Sequence, residues 1–190
     1  MKYTIIAGVN GVGKSSFTGV LKAERTDLGY VIDVDKITVE NNISAIESGK
    51  VALKKIDDFL DKSFSFAQET TLSGLRTEKT VRIAKDKGYI IRLFYIGLNT
   101  SDECVKRINN RVEKGGHNVQ EHDVGRRYNK RFIDLIKILP YCDEVRLFDN
   151  ENGFVEVGEY KNGELICKGD YKPVWLCNLK DSLTRYRTIE

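Results

Sequence analysis

The chain has 190 residues, enough for one domain of ordinary size with a real hydrophobic core. Its 31 Lys and Arg against 28 Asp and Glu leave a formal charge of only +3, which argues against a general nucleic-acid or membrane binder. The four cysteines show no C-x-x-C pair and no metal-ligand spacing, so we expect inert thiols in a reducing compartment. No signal peptide or membrane span fits the sequence, and we expect a cytoplasmic protein.

The start of the chain places a short apolar run before a glycine-rich turn and the beginning of a helix. The turn fits the phosphate-binding pattern G-x-x-x-x-G-K-[ST], in which glycines let backbone N–H groups converge on phosphate oxygens at a helix N-terminus. Lys14 adds a charge for the β- and γ-phosphates, and the Ser15 hydroxyl is placed to ligate Mg²⁺. The predicted nucleotide-binding residues are Gly8, Asn10, Gly11, Val12, Gly13, Lys14, Ser15 and Ser16.

Two later stretches resemble strands that end in acidic residues. Residues 30–35 predict a second strand, with Asp33 and Asp35 on one face because strand side chains alternate. Residues 63–68 predict a third strand, which is followed by Glu69. Ligands of a parallel sheet bind at the C-terminal ends of its strands, so these carboxylates are candidate site residues. Helix capping or surface solvation is the alternative, more so for Asp33.

The rest of the sequence alternates helical and strand patterns. Apolar side chains recur at helical spacing between residues 41 and 62, and Gly49 predicts a break between a short helix and a longer one. A near-continuous apolar run at residues 89–96 predicts the central strand of the sheet, and residues 144–149 predict the last core strand. Further helices are predicted at about residues 75–87, 100–114, 120–139 and 176–186.

This order predicts a doubly wound, mostly parallel α/β sheet of five strands flanked by helices, with ligands at the strand C-terminal ends. Residues 153–175 alternate in short segments around a turn at 161–163, which predicts a small C-terminal β-hairpin appendage within residues 151–190. We expect a single domain over residues 1–190, because no repeat or linker interrupts the pattern.

Two well-known classes of phosphate-binding-loop protein do not fit the sequence. A GTPase switch needs D-x-x-G, and no Asp of this chain is followed by Gly three residues on. Leu72-Ser73-Gly74 begins like the L-S-G-G-Q signature of transporter ATPases, but Leu75 and Arg76 replace the Gly-Gln that would follow. A small-molecule phosphotransferase remains, in which the protein mainly positions two substrates and neutralises charge.

Such an enzyme needs cations that close over the γ-phosphate, and the sequence offers a basic cluster for this task. Residues 106–131 hold eight Lys and Arg against three acids, with Gly115 and Gly116 between the two halves as a predicted lid hinge. For any single arginine, a solvated helix face is the alternative. The cations are Lys106, Arg107, Arg111, Lys114, Arg126, Arg127, Lys130 and Arg131.

Six segments carry a resemblance to a known family. They read AGVNGVGKS, IDVDKI, FAQETTLSG, YIGL, RINNRVEKGGHNV and RRYN, and they lie between Lys2 and about Asn150. Together they resemble the zeta-toxin family of P-loop kinases, in the branch often labelled predicted ABC-type ATPase. Val9 stands where this branch usually has Pro. The resemblance implies a P-loop NTPase fold of the kinase type, with a helical lid at about residues 106–131.

Zeta toxins phosphorylate the 3′-hydroxyl of the sugar in UDP-N-acetylglucosamine with ATP and Mg²⁺. The resemblance therefore implies these cofactors and a nucleotide sugar, or a similar small metabolite, as substrate. It makes Asp35 the general base and Glu69 a contact to the sugar, and it leaves Arg126 and Arg127 as alternatives at the γ-phosphate. A separate antitoxin-like inhibitor protein is also compatible with it. The implied catalytic residues are Asp35, Arg111, Arg126 and Arg127, and the implied substrate-binding residues are Glu69, Thr70 and Thr71.

A second hypothesis comes from a different class of protein. The chain would then be a nucleotide-gated module that hydrolyses ATP slowly and acts through a protein partner. The two hypotheses differ in whether ADP release rises strongly when a pool of sugar nucleotides is added.

Overall fold

The computed structural model describes residues 1–189, which form a central sheet with a hydrophobic cluster on each face. The strands are β1 Lys2–Ala7, β2 Tyr30–Ile32, β3 Phe66–Thr70, β4 Ile90–Gly97, β5 Glu144–Asp149, β6 Val155–Lys161 and β7 Glu164–Cys167. The helices are α1 Lys14–Glu24, α2 Val34–Asn41, α3 Ala45–Asp61, α4 Leu75–Asp86, α5 Ser101–Glu113, α6 Glu121–Ile138 and α7 Val174–Ile189, with a 3₁₀ turn at Leu139–Tyr141. None of the helices within these residues is long and apolar enough to cross a membrane.

The strand order is β2-β3-β1-β4-β5-β6-β7, and neighbours among the first five strands are parallel. The predicted doubly wound sheet is confirmed, with β4 at its centre. The predicted appendage needs correction, because β6 and β7 form the expected hairpin but β6 pairs antiparallel with β5. The described residues thus form seven strands in one sheet. This pairing satisfies backbone groups of β5 that an edge strand would leave exposed.

The parallel strands are buried on both faces. Seven of the eight residues of β4 are buried. In β1, Tyr3 and Ile5 belong to the hydrophobic cluster on one face of the sheet, and Ile6 belongs to the cluster on the other. Because side chains in the middle of these strands are enclosed, functional groups of the sheet reach solvent at the strand ends.

The second strand ends earlier than the sequence predicts. Pairing of β2 stops at Ile32, and Asp33 is the N-cap of α2. The Asp33 carboxylate accepts hydrogen bonds from the backbone N–H of Asp35 at 2.9 Å and of Lys36 at 3.4 Å. These bonds satisfy donors that the first turn of a helix otherwise leaves free. Asp35 therefore lies in the first turn of α2, and the predicted strand face shared by Asp33 and Asp35 is wrong.

The predicted break at Gly49 is also wrong, because α3 continues through this residue. The two helices are separated at residues 42–44, where Asn42 has a left-handed φ of 50°. Ser44 and Glu47 form a capping box in which each side chain bonds the other residue's backbone N–H. Such a cap contributes about 1 kcal/mol, which offsets the similar cost of a glycine inside a helix.

The predicted C-terminal helix is confirmed as α7. Its Leu176, Leu179 and Leu183 are buried at helical spacing and belong to the main hydrophobic cluster. Trp175 is fully buried, and its ring packs against Tyr95 of β4 with 5.8 Å between the ring centroids. The C-terminal helix is therefore part of the same core as the parallel strands.

Candidate active site

A cavity of about 950 Å³ lies at the C-terminal ends of the parallel strands. Its wall comes from the β1–α1 loop, the start of α2, the end of β3, the helices α5 and α6 with their connecting loop, and the residue after β5. Doubly wound sheets bind their ligands at this position. The volume is near the upper end of the range for small-molecule sites, roughly 300–1,000 Å³, and leaves room for a nucleotide with a second small molecule.

The glycines of the β1–α1 loop are held against neighbouring elements. A side-chain carbon on Gly11 would overlap the backbone of Cys104 in α5, and one on Gly13 would overlap the side-chain amide of Asn150. Gly13 also has a φ of 94° as the N-cap of α1. Close packing therefore requires glycine at both positions, in addition to the predicted approach of the backbone to a phosphate.

The N-terminus of α1 is open to an anion. This helix has no side-chain cap and no acidic residue in its first turn, whereas α2 and α3 begin with a capping side chain. The first N–H groups of a helix carry a partial positive charge and need acceptors. The loop and the start of α1 therefore fit a phosphate group.

Lys14 is the first residue of this helix. Its Nζ donates to the carbonyls of Gly8 at 3.0 Å and Val9 at 3.1 Å. Burial lowers the pKa of Lys14, and the charges of nearby carboxylates offset part of that effect. Within residues 1–189 this ammonium group hydrogen-bonds only to neutral carbonyls of its own loop, so it is suited to a phosphate, which is a stronger acceptor.

Glu69 lies near the end of β3 and contacts hydroxyl groups of α1. Its carboxylate accepts from Ser15 Oγ at 2.8 Å and from Thr18 Oγ1 at 2.6 Å. The parallel register pairs Glu69 with Ile6 of β1, just before the loop. Glu69 is only 8% exposed, and burial raises its pKa. Because hydroxyl and carboxylate oxygens are the ligands that Mg²⁺ prefers, Ser15 and Glu69 fit this ion.

Two further carboxylates line the cavity at the start of α2. Asp33 serves as the helix cap, and its pKa is raised by burial and by the neighbouring charge of Asp35. Asp35 lies within electrostatic reach of Lys14, and its carboxylate has no hydrogen-bond or ion-pair partner in residues 1–189. A free carboxylate beside a phosphate site is available to accept a proton.

The structure distinguishes the two arginines that the sequence leaves as alternatives. Arg127 donates from Nη1 to Asn10 in the β1–α1 loop, and its Nε is buried without a partner in the described part of the chain. Arg126 donates to Asp123 at 2.8 Å and is not part of the cavity wall. A buried donor without an acceptor is costly, so the free Nε of Arg127 can bind an anion. The guanidinium of Arg126 already has an acceptor in Asp123.

Half of the predicted basic cluster contributes to the cavity. Arg111 donates to the carbonyl of His117, in the loop between α5 and α6. Arg131 instead stacks on the rings of Tyr128 and Phe132, with 3.5 Å and 4.2 Å from its Cζ to the ring centroids. The cluster is therefore partly cavity wall and partly packed or solvated surface. Its members in the wall are Arg107, Arg111, Lys114 and Arg127.

Most residues predicted from the motifs meet in this cavity, and Gly8, Val12 and Arg126 are the three that do not line it. Sequence reasoning missed Asn150, although it directly follows β5, where the rule that ligands bind at strand ends could have identified it. It also missed Thr18, one turn into α1. The predicted residues in the wall are Asn10, Gly11, Gly13, Lys14, Ser15, Ser16, Asp35, Glu69, Thr70, Thr71, Arg111 and Arg127.

The strand order and the phosphate-binding loop after β1 define the fold of a P-loop kinase. The chain is 32% identical over 133 residues to a Haemophilus influenzae (strain ATCC 51907 / DSM 11121 / KW20 / Rd) protein described only as uncharacterized. The aligned part covers 67% of this chain and 92% of that protein, and the two belong to one family. No family model matches the chain.

Two solved structures share the fold. A chain of the PezAT chromosomal toxin–antitoxin system of Streptococcus pneumoniae matches with a TM-score of 0.62 and 14% identity, over 100% of this chain and 87% of that chain. The AvrRxo1-ORF1:-ORF2 complex with ATP matches with a TM-score of 0.64 and 16% identity, over 96% of this chain and 63% of the matched chain. This chain thus spans less than two thirds of the AvrRxo1 chain. The predicted resemblance to zeta-toxin P-loop kinases is confirmed at the level of the fold.

Proposed function

We propose that this protein is an ATP- and Mg²⁺-dependent phosphotransferase of the zeta-toxin type, which transfers the γ-phosphate of ATP to a hydroxyl of a small metabolite. The observation that carries this proposal is the meeting of Lys14, Arg127 and the unpaired carboxylate of Asp35 in one cavity. Phosphoryl transfer needs a phosphate cradle, a cation for the moving group and a proton acceptor, and little other protein chemistry.

In this proposal the triphosphate of ATP lies on the β1–α1 loop. Backbone N–H groups, the N-terminus of α1 and Lys14 hold the β- and γ-phosphates. Ser15 and Glu69 would hold Mg²⁺, which would neutralise phosphate charge there. The AvrRxo1 complex contains ATP, and its shared fold supports nucleotide use by this chain.

Asp35 is the proposed general base. It takes the proton of the acceptor hydroxyl as the hydroxyl oxygen bonds to the γ-phosphorus, the bond from that phosphorus to the β–γ bridging oxygen breaks, and ADP leaves. Arg127 and Arg111 stabilise the negative charge of the phosphoryl group as it moves. Arg126 has no part in this proposal, because its guanidinium is paired with Asp123 and does not line the cavity.

The acceptor is proposed to lie near Thr70 and Thr71, which line the cavity at the end of β3. By resemblance, the leading candidate is a nucleotide sugar such as UDP-N-acetylglucosamine. Glu69 was predicted to contact the sugar, but its hydrogen bonds to Ser15 and Thr18 favour a position on the metal side. The PezAT toxin–antitoxin system supports a separate antitoxin-like protein as a partner of this chain.

A metabolite library incubated with the protein, ATP and Mg²⁺ tests this function, with mass spectrometry used to find a gain of one phosphate. The wild-type chain should phosphorylate one class of hydroxylated acceptor, and Lys14→Ala should phosphorylate none. Lys22→Ala changes an exposed lysine of the same helix and should match the wild type. If wild-type protein binds ATP but yields no phosphorylated metabolite, the proposal is wrong.

A further inference from the structure

Residues 149–151, at the end of β5, connect the phosphate-binding loop with the C-terminal helix. Asn150 makes the contact with the loop, because its Nδ2 donates to the carbonyl of Val12 at 2.8 Å. Its backbone N–H donates to the carbonyl of Gly97 at the end of β4, at 3.2 Å. The sheet therefore fixes the backbone of Asn150, and its side-chain amide in turn holds the loop at Val12.

The bond to Val12 sets the direction of the next backbone N–H. A trans peptide group is planar, and its C=O and N–H point in opposite directions. Because Asn150 holds the Val12 carbonyl, the N–H of Gly13 points away from Asn150, and it has no acceptor within residues 1–189. Successive free N–H groups in such a loop form the concave site that binds phosphate oxygens.

Asp149 anchors this connection in the core. Its side chain is 1% exposed, and its carboxylate accepts from Trp175 Nε1 at 2.7 Å, from the Tyr171 hydroxyl at 3.2 Å and from the Glu151 N–H at 2.9 Å. A buried carboxylate is stable only when its acceptor capacity is used. The position of the segment that leads into α7 and the position of the end of β5 therefore depend on each other.

Asn99 provides a second connection between the same elements. Its Oδ1 accepts from the backbone N–H of Trp175 at 3.2 Å, and its Nδ2 donates to Glu151 at 3.0 Å. Gly97 leaves space for the Trp175 ring, since a side-chain carbon at this position would overlap the indole. The indole thus lies between β4, where it meets Gly97 and Tyr95, and Asp149 at the end of β5.

We propose that Asn150 is a positioning residue for the phosphate-binding loop, and that the buried contact of Asp149 with Trp175 makes the C-terminal helix part of the nucleotide site. Asn150 acts through the Val12 carbonyl, which orients the N–H of Gly13 for a phosphate oxygen. This inference rests on the proposed binding of ATP.

Two probes separate an effect on the loop from a contact with the base: a non-hydrolysable ATP analogue and inorganic tripolyphosphate. Asn150→Ala should weaken the binding of both by a similar factor, about five- to tenfold, as expected for one lost hydrogen bond. Asn178→Ala changes an exposed asparagine of α7 and should leave both affinities unchanged. Titration calorimetry well below the unfolding midpoint makes the comparison in fully folded protein.

Trp175→Phe provides a second variant, because it keeps a buried aromatic ring and removes the donor to Asp149. We expect a lower unfolding midpoint together with a severalfold loss of affinity for both probes at a temperature where the variant is fully folded. A lower midpoint with unchanged affinities would make the helix purely structural and overturn its part of the inference.

Two results for Asn150→Ala would overturn its positioning role: unchanged affinity for both probes, or weaker binding of the ATP analogue alone, which would indicate a contact with the base. If the wild-type chain binds neither probe, the proposed function itself fails. That outcome is distinct from a wild type that binds and an Asn150→Ala variant that binds equally well.

Discussion

Lys14 bonds to two carbonyls of its own loop, so its side chain serves ligand binding more than folding. We expect Lys14→Ala to weaken ATP binding about ten- to a hundredfold, because a charge-assisted hydrogen bond contributes roughly 1.5–3 kcal/mol. Its unfolding midpoint should stay near that of the wild type. Titration with ATP and calorimetric unfolding check the two expectations, with Lys22→Ala as the control. Wild-type affinity in Lys14→Ala would refute the assignment of the loop.

Arg127 and Arg126 are adjacent in sequence and differ in surroundings, which makes them a matched pair. We expect Arg127→Ala to lower kcat on the order of 10³-fold with a smaller change in the KM for ATP, because charge on the phosphoryl group is stabilised in the transition state. Arg126→Ala should change kcat less than severalfold, since it removes only an exposed pair with Asp123. Steady-state kinetics of both variants test this expectation. A larger loss of kcat in Arg126→Ala than in Arg127→Ala would contradict the proposed roles.

Asp35 and Asp33 form a second pair, in which one carboxylate is free and the other caps a helix. We expect Asp35→Asn to keep ATP affinity and to lose phosphate transfer by roughly 10²–10⁴-fold, the usual contribution of a general base. Asp33→Asn should retain most of the transfer and the stability, because asparagine is also a good N-cap. An active Asp35→Asn beside an inactive Asp33→Asn that still binds ATP would reverse the assignment of the base.

Asp27 connects several strands at the end of the sheet opposite the cavity. Its carboxylate accepts from Arg25 Nε at 3.0 Å, from Lys2 Nζ of β1 at 2.7 Å and from Arg92 Nη2 of β4 at 3.2 Å. These bonds, led by that from Arg25, hold the pKa of Asp27 well below its usual value. Arg92 also pairs with Glu144 of β5 at 2.8 Å, so the network ties three strands to the loop before β2.

The shifted pKa predicts acid sensitivity. Asp27 binds protons less readily in the folded chain than in the unfolded chain, where its pKa is about 3.9. Its stabilisation is therefore fully present near neutral pH and is lost as the pH falls below about 4 towards the folded value. We expect Asp27→Asn to lower the free energy of unfolding by about 1 kcal/mol at pH 7, since the side chain is partly exposed.

Urea unfolding of wild-type protein and Asp27→Asn between pH 7 and pH 3 tests this expectation. The difference in free energy of unfolding should shrink as the pH is lowered. A difference that stays constant over this range would show that the carboxyl charge of Asp27 does not stabilise the fold.

Strands, helices and loops could be predicted from the sequence where a single local pattern determines the structure. β4 follows from an apolar run that has no competing structure, and the β1–α1 loop follows from a contiguous motif. The end of β2 could not be predicted, because Asp33 is compatible with a strand and with an N-cap, and only the short pairing with β3 decides. Likewise, Gly49 lowers helix propensity, but the cap at Ser44 and the burial of α3 outweigh it.

Local sequence patterns could not predict the parts of the site that depend on contacts between residues far apart in the chain. Asn150 and the carbonyl that it contacts are 138 positions apart in sequence, and no motif links them. The same holds for the antiparallel pairing of β6 with β5, which depends on an available strand edge. The choice between Arg126 and Arg127 needed the position of each guanidinium relative to the cavity.

The fold brings distant parts of the chain, from Asn10 to Asn150, to one cavity. The loop after β1 supplies the proposed phosphate cradle, α5 and α6 supply arginines, and α7 supports the end of β5. The net charge of +3 gives no sign that cations and carboxylates are concentrated around this cavity. The closing of residues 106–131 as a lid remains a prediction, for which the loop between α5 and α6 would provide the hinge.

Labelled ATP incubated with the protein and a small-metabolite extract shows where the γ-phosphate goes, and so tests whether the chain transfers phosphate to a metabolite. We predict that the extract strongly raises ADP release by the wild type and that the label moves into a metabolite, whereas Asp35→Asn binds ATP and transfers no label. ADP release that does not respond to the extract, with all label in inorganic phosphate, would rule out this transfer and favour a nucleotide-gated module that acts through a protein partner.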